Sequence, residues 1–208
     1  MLLLELFSGT KSVSKVALEF GLYVVSLDRD LEADIKIDIM DWDYKQYEPH
    51  YFDIIWASPP CTDYSIAKTT GTRKIEEANK IVKRTLEIIE YLQPIYHLIE
   101  NPQTGYLKNQ DFMQNLRYTD IDYCKYGMPY RKRTRLWNNV YIYCWTPRPL
   151  CKKDCGSMDG NRHMQTAQQR PRGTRDTWGN FRPFRREELY KVPSELIKEI
   201  LESITLNN

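Results

Sequence analysis

Short apolar runs alternate with helical patterns through the first hundred residues of the chain. Largely apolar runs of three to six residues, each with one polar residue, occur at 2–7, 23–27, 35–37, 52–57 and 96–99. Between them, apolar residues spaced three and four apart predict helices over Val13 to Phe20 and Ile75 to Leu92. This alternation favours an α/β fold with a doubly wound, mostly parallel sheet, because each parallel connection needs a crossover.

The alternation ends after about residue 138. Val140 to Trp145 predicts one more strand, whereas residues 146–186 are rich in Pro, Gly, Arg and Gln and show no period. A last helix is predicted from about Ser194, because a proline precedes it and apolar residues share one face after it. We therefore expect a catalytic and ligand-binding domain at 1–137, a small basic region at 138–187, and a C-terminal helix at 188–208 that packs back on the domain.

Basic charge is concentrated in the irregular region. The whole chain carries 30 Lys and Arg and 28 Asp and Glu, a net charge of +2. Residues 131–186 alone hold 14 basic and 3 acidic residues, a net charge of +11, with aromatic residues interleaved. Such a segment is typical of a surface that contacts nucleic acid, and a plain solvated face is the alternative.

Cysteine usage and hydropathy favour an intracellular protein. The five cysteines are an odd number, in a chain long enough to bury a core without disulfides. Glu5 interrupts the opening apolar run, which is too short for a membrane span or a signal peptide. We expect a protein of the cytoplasm or nucleus that is neither secreted nor bound to a membrane.

Polar motifs stand where the predicted strands end, the edge at which doubly wound sheets bind ligands. Phe7-Ser8-Gly9-Thr10 follows the first strand, and Asp28 ends the second. Gly9 permits a tight turn, and an acid about twenty residues further on accepts hydrogen bonds from ribose hydroxyls. A plain turn and a surface acid are the alternative interpretation.

Two further motifs carry groups suited to covalent and acid catalysis. Pro59-Pro60-Cys61 follows the fourth predicted strand, and Glu100-Asn101 follows the fifth. The prolines fix the backbone, so that Cys61 is presented on a rigid turn as a nucleophile, and Glu100 is placed to deliver a proton. The alternatives are an inert buried cysteine and a turn cap. The basic stretch from Lys68 to Lys74 predicts a lid over an anionic substrate.

Taken in order, these motifs resemble those of the cytosine-5 DNA methyltransferases. The resemblance rests on Leu6-Phe7-Ser8-Gly9, Asp28, Asp38-Ile39, Pro59-Pro60-Cys61, Glu100-Asn101, Tyr126-Gly127-Met128-Pro129 and Arg133-Thr134-Arg135. It covers about residues 2–137 and is strongest to the small stand-alone forms of large DNA viruses and phages. It implies a class I, Rossmann-like, S-adenosylmethionine-dependent methyltransferase with a reduced, basic, loop-rich target-recognition region.

The resemblance also implies roles for individual residues. The Cys61 thiolate would add to C6 of a flipped-out cytosine, and Glu100 would hold N3 and the exocyclic amine. Arg133 would contact O2 of the base, and Arg135 would support the site. S-adenosylmethionine would be bound by Phe7, Ser8, Gly9, Thr10, Asp28, Asp38, Ile39 and Pro59. Double-stranded DNA would be contacted by Pro60, Asn101, Lys68, Arg73, Arg131, Arg170, Arg172 and Arg175.

The chain departs from the family pattern at several places. Lys11 and Ser12 stand where further glycines are usual, and Arg131 stands for a glutamine in a motif that is one residue longer. About fifty residues remain for target recognition. The alternatives are an amino-methyltransferase, an RNA cytosine-5 methyltransferase, and a catalytically impaired DNA-binding relative. Intact Cys61 and Glu100 argue against the last of these.

Cys151, Cys155 and His163 are spaced as candidate metal ligands within the basic region, with Cys144 or Cys124 as a fourth. A zinc ion stabilises a small region without a core of its own. The spacing is not a standard zinc pattern, so free thiols are our preferred interpretation and zinc is the alternative. The sequence does not specify an oligomeric state, and a dimer is compatible with it.

Overall fold

The computed structural model describes residues 1–165, 167 and 186–206. Its sheet contains five parallel strands: β1 (Leu2–Leu6), β2 (Tyr23–Asp28), β3 (Ile35–Lys36), β4 (Ile54–Ala57) and β5 (Tyr96–Pro102). Two antiparallel strands, β6 (Tyr118–Asp122) and β7 (Arg133–Asn138), complete one edge. The strand order is β3-β2-β1-β4-β5-β7-β6. The predicted doubly wound, mostly parallel α/β fold is therefore confirmed.

Helices lie on both faces of this sheet. They are α1 (Ser12–Glu19), α2 (Ile75–Leu92), α3 (Asp111–Gln114), α4 (Arg186–Tyr190) and α5 (Ser194–Thr205). A short hairpin, β8 (Met158–Asp159) with β9 (Arg162–His163), stands apart from the main sheet. No helix among the described residues has the length and apolar character needed to cross a bilayer.

Two apolar cores form, one on each face of the sheet. On the first face, Val13 and Val16 of α1 and Ile200 of α5 pack on strand residues such as Leu98. On the second face, α2 covers strand residues through side chains such as Val82. The C-terminal helix α5 thus packs on α1 and on the main sheet, whose strands carry the Cys61 and Glu100 motifs. Burying both faces explains why the parallel strands are nearly continuous apolar runs.

The strand predicted at Val140 to Trp145 is wrong, because this stretch forms a turn. The N–H of Trp145 donates to the carbonyl of Tyr141 at 3.1 Å. Val140 and Trp145 are buried in the first core, while Tyr141 and Tyr143 are exposed and stack with ring centroids 5.2 Å apart. The apolar run therefore reflects two anchors at the ends of a turn, not a strand.

Candidate active site

The loop after β1 is shaped by three residues with positive φ. Phe7, Gly9 and Lys11 have φ values of 59°, 50° and 55°. The N–H of Ser8 donates to Leu27 at 3.0 Å, which holds the loop against the end of β2. Left-handed backbone is strained for residues other than glycine. Lys11, which replaces a glycine usual in the family pattern, thus adopts the conformation that glycine favours.

Asp28 organises this loop from the end of β2. Its Oδ2 accepts the N–H of Gly9 at 2.8 Å, and its Oδ1 accepts the N–H groups of Asp30 and Leu31, each at 2.8 Å. Asp28 is half-buried. The carboxylate therefore orders the backbone around the candidate cofactor site, in addition to the ribose contact that the resemblance implies.

Ser8 shows that this loop fits a polar ligand. Its hydroxyl is buried and makes no hydrogen bond to any described residue. A buried hydroxyl without a partner costs free energy that a ligand would recover. The neighbouring Asp38 accepts the N–H of Met40 at 2.9 Å and lies 3.3 Å from Arg29, and Ile39 beside it is buried. These residues fit a nucleoside ligand such as S-adenosylmethionine.

The Pro59-Pro60-Cys61 turn follows β4, whereas Glu100 and Asn101 lie within the last residues of β5, not after it as the sequence predicts. Ala57 of β4 is in register with Ile99 of β5, so both motifs stand at the same edge. The side-chain amide of Asn101 donates to the carbonyl of Pro59 at 2.9 Å. This buried hydrogen bond ties the turn that carries the half-buried Cys61 to the strand that carries Glu100.

Asn101 is fully buried, which corrects its assignment to the DNA surface. Its Nδ2 holds the Pro59 carbonyl, and its Oδ1 is buried without a hydrogen-bond partner among the described residues. With no exposed surface, Asn101 makes no direct contact with DNA in this conformation. Pro60, by contrast, is exposed at the tip of the turn, where a DNA contact is feasible.

Glu100 is buried, with 6% of its surface exposed. Its Oε1 accepts the hydroxyl of Tyr123 at 2.7 Å and lies 3.6 Å from Nζ of Lys132. Burial, and then the charge of Glu100, raise the pKa of Tyr123 well above its ordinary value, so the hydroxyl keeps its proton and donates. No hydrogen bond joins Oε2 of Glu100 to a described residue.

Arg133 and Arg135 lie on the opposite face of the sheet from Glu100. Residues directly opposite each other in an antiparallel pair share a face. Glu100 is opposite Leu136, whereas Asn101 is opposite Arg135. Side chains alternate along β7, so Arg133 shares the face of Arg135. The structure therefore does not bring either arginine to Glu100, unlike the arrangement that the resemblance implies.

Both arginines are instead held by aspartates of β6. Arg133 forms two hydrogen bonds with the buried Asp122, at 3.0 and 2.7 Å. Arg135 forms two with Asp120, at 2.7 and 2.9 Å, and its guanidinium lies 3.4 Å from the ring centroid of Tyr118. These bidentate pairs fix the antiparallel edge of the sheet.

Tyr123 and Lys132 are the functional candidates that the sequence did not reveal. The Lys132 ammonium lies 4.9 Å from the ring centroid of Tyr123 and donates to the carbonyl of Leu189 at 3.2 Å. A signal existed, because Lys132 belongs to the family motif that is one residue longer than usual.

The two cations of the predicted lid bind to groups of the loop itself. Lys68 donates to the carboxylate of Asp63 at 2.5 Å and to the carbonyl of Thr72 at 2.8 Å. The guanidinium of Arg73 donates to the carbonyls of Ser65 at 3.0 Å and Lys68 at 2.8 Å. In this conformation both cations hold the loop itself, so their contacts with DNA stay predictions.

Most of the arginines assigned to DNA cannot be placed. Arg170, Arg172 and Arg175 lie outside the described residues. Arg131 is described, and its side chain is 45% exposed, with Nε 3.9 Å from the buried Asp122. This position at the edge of the sheet leaves its guanidinium accessible to a polyanion.

Four candidate metal ligands converge near the end of β6, where the N–H of Cys151 donates to Asp122. The ligand atoms of Cys124, Cys151, Cys155 and His163 all lie within 4.8 Å of one another. Cys124 follows Tyr123 in a short 3₁₀ turn, and His163 belongs to β9. Cys144, the other fourth ligand considered from sequence, is not in this group. Tertiary structure thus selects Cys124.

Known proteins resemble this chain in sequence and fold. A family model described as "C-5 cytosine-specific DNA methylase" matches residues 28–123. A protein of Frog virus 3 (isolate Goorha), named "Probable DNA (cytosine-5)-methyltransferase", is 34% identical over 224 residues, which cover 97% of this chain and 99% of that protein. A solved structure from E. coli, titled "putative DNA modification methyltransferase encoded within prophage", has a TM-score of 0.51 at 16% identity, over 73% of this chain and 52% of that one. This chain therefore belongs to the cytosine-5 DNA methyltransferases, a family of S-adenosylmethionine-dependent enzymes.

Proposed function

We propose that this protein methylates C5 of cytosine in double-stranded DNA through a covalent bond between Cys61 and C6 of the base. One observation carries the assignment of roles. The turn that bears Cys61 and the strand end that bears Glu100 are neighbours, and the hydrogen bond from Asn101 to Pro59 joins them. The nucleophile and the acid are thereby presented at one edge of the sheet.

The chemistry requires both groups, because C5 of cytosine is a poor nucleophile. The Cys61 thiolate forms a bond to C6, while Oε2 of Glu100 delivers a proton to N3 and makes C6 electrophilic. The electron pair of the C5–C6 double bond moves towards C5, which can then form a bond to a methyl group. Water then accepts the C5 proton as the bond between C6 and Cys61 breaks, and N3 returns its proton to Glu100, which restores the aromatic ring, the thiolate and the acid.

S-adenosylmethionine supplies the electrophilic methyl group when it is bound. Phe7, Ser8, Asp28 and Asp38 would hold it at the ends of the first three strands, where the unpartnered Ser8 hydroxyl supports a polar ligand. Tyr123 and Lys132 would keep the Glu100 carboxyl oriented from the protein side. The target base must leave the duplex, which costs a few kcal/mol.

A methylation map is the direct test. The protein is incubated with S-adenosylmethionine and mixed-sequence duplex DNA, and methylcytosine is located by bisulfite sequencing, with single-stranded DNA and RNA of the same sequence in parallel. We expect 5-methylcytosine in the duplex. Methylation of RNA alone would support the RNA alternative, and N4-methylcytosine would support an amino-methyltransferase. DNA binding without any product would indicate impaired catalysis.

Covalent trapping tests the role of Cys61. Duplex DNA containing 5-fluorocytosine should form a denaturant-resistant adduct, because fluorine cannot leave C5 as a proton does. Cys61→Ser should abolish the adduct and keep DNA binding. The matched control is Cys144→Ser, since Cys144 is half-buried and lies outside the site and the metal-ligand group. An active enzyme that never forms the adduct would refute the covalent mechanism.

A further inference from the structure

We propose that Cys124, Cys151, Cys155 and His163 bind one structural zinc ion, which fastens the start of the basic region to the catalytic domain. Three thiolates and one imidazole form a standard ligand set for structural zinc. All four positions come from the chain, so the ion would have no open position for catalysis. Its role would be to hold the protein together.

The geometry fits a tetrahedral ion. Zinc bonds of about 2.3 Å to sulfur and about 2.0 Å to nitrogen place ligand atoms roughly 3.5–3.8 Å apart. The Sγ of Cys151 and Nε2 of His163 are 3.5 Å apart, and the four ligand atoms all lie within 4.8 Å of one another. Closing the set around an ion thus requires only shifts of about 1 Å, which side-chain rotation supplies.

Backbone and ion-pair contacts hold the loop that carries two of the ligands. The N–H of Lys153 donates to Sγ of Cys151 at 3.3 Å, and Lys153 reaches this position through a left-handed backbone, φ 70°. An ion pair of 2.7 Å joins Lys125 to Asp154, so it pins the Cys151–Cys155 loop to the turn of Cys124. Such outer contacts orient the ligands of a metal.

The segment around the cluster has little else to hold it. Among residues 146–165, Cys151 is the single buried apolar side chain. The regular structure in this segment is limited to β8 and β9, two residues each. A segment without an apolar core is stabilised most by a metal or a cross-link. A zinc ion would therefore supply the stabilisation that an apolar core supplies in a larger domain.

The site also lies next to the groups around Glu100. The N–H of Cys151 donates to Oδ2 of Asp122 at 3.0 Å, and Cys124 directly follows Tyr123, the hydrogen-bond donor to Glu100. A metal that fixes Cys124 would therefore fix the Tyr123 hydroxyl. This link to catalysis rests on the proposed function, whereas zinc binding itself does not.

Metal content tests the proposal. The full chain is purified under reducing conditions from zinc-supplemented cells, dialysed, and analysed by mass spectrometry for metals. We expect one zinc per chain in the unaltered protein and in Cys144→Ser, and none above background in Cys155→Ser. Cys155 is only half-buried, so this variant is expected to fold, which circular dichroism checks. Cobalt(II) exchanged into the unaltered protein should show the visible absorption of a tetrahedral thiolate site.

A chelator separates binding from stability. It should lower the Tm of the unaltered protein and of Cys144→Ser, and leave the Tm of Cys155→Ser unchanged, because a metal bound to the folded state stabilises it. Folded, metal-free protein after zinc supplementation, or a mapped disulfide among the three cysteines, would overturn the proposal. Metal-free protein that still methylates DNA would overturn the zinc site and leave the proposed function intact.

Discussion

Replacing Tyr123 by Phe is expected to slow methyl transfer without unfolding the protein. The substitution removes one hydroxyl, which donates to Glu100 at 2.7 Å, and Glu100 is 6% exposed. A hydrogen bond to a charged group contributes about 1.5–3 kcal/mol, and each 1.4 kcal/mol corresponds to about a tenfold change in rate. If the bond orients Glu100 in the transition state, kcat should fall roughly 10- to 100-fold.

The same substitution also leaves a buried acceptor with one partner fewer. The free energy of unfolding should therefore fall by about 1–3 kcal/mol, as measured by urea denaturation. Lys132 stays 3.6 Å from the Glu100 oxygen, which keeps the carboxylate paired in the folded state. Steady-state rates of 5-methylcytosine formation at saturating DNA and S-adenosylmethionine give kcat, and single-turnover rates isolate the chemical step. Titration of S-adenosylmethionine gives cofactor affinity, which should not change.

Tyr44→Phe is the matched control. The Tyr44 hydroxyl donates to Glu87 at 2.5 Å, but the side chain of Glu87 is 53% exposed on α2. The chemical change is identical, and water can replace the lost donor, so kcat should stay as in the unaltered protein. Unchanged kcat in folded Tyr123→Phe would refute the positioning of Glu100 by this hydroxyl. Equal losses in both variants would assign the effect to general destabilisation.

Three further expectations concern Glu100, Lys11 and the basic region. Glu100→Gln should lower turnover about 10²-fold, the scale of general acid catalysis, and leave cofactor binding unchanged. Full turnover in this variant would show that Glu100 only caps a turn. Lys11→Gly should raise the free energy of unfolding by about 0.5–1 kcal/mol in urea, because φ is 55° there; a decrease would show that the lysine side chain stabilises the loop. The +11 charge of 131–186 predicts phosphate-dominated binding and a short target of roughly two to four base pairs. Arg172→Ala should weaken binding to all sequences and flatten the salt slope by about one unit, whereas one long fixed site in the methylation map would contradict this and indicate a second subunit.

Local patterns were sufficient for the parallel part of the sheet. β1 and α2 were predicted within a residue or two, because burial on both strand faces and on one helix face leaves periodicities that involve only near neighbours. The placement of the Cys61 and Glu100 motifs at strand ends followed from the same elements. The chemistry proposed for Cys61 and Glu100 depends on their side-chain types, which can be read directly from the sequence.

The antiparallel edge was not predicted, because its strands alternate charged residues. Asp120 and Asp122 of β6 are acceptable inside a sheet only when Arg135 and Arg133 of β7 lie opposite them. In either strand taken alone, the charged residues would be buried without a partner of opposite charge. The sequence of one strand therefore does not predict that it lies inside a sheet. The charge complementarity can be recognised only when the pairing of β6 with β7 is known.

The sequence by itself determined the fold class and the family, and it supplied Cys61 and Glu100 as the candidate nucleophile and acid. Only the tertiary structure decided which side chains surround them: it set Tyr123 and Lys132 against Glu100, moved Arg133 and Arg135 to the other face, and joined Cys124 rather than Cys144 to the metal-ligand group. The physical reason is that these contacts join residues far apart in the chain. Strand register determines such contacts, and a shift of one residue moves every side chain to the opposite face.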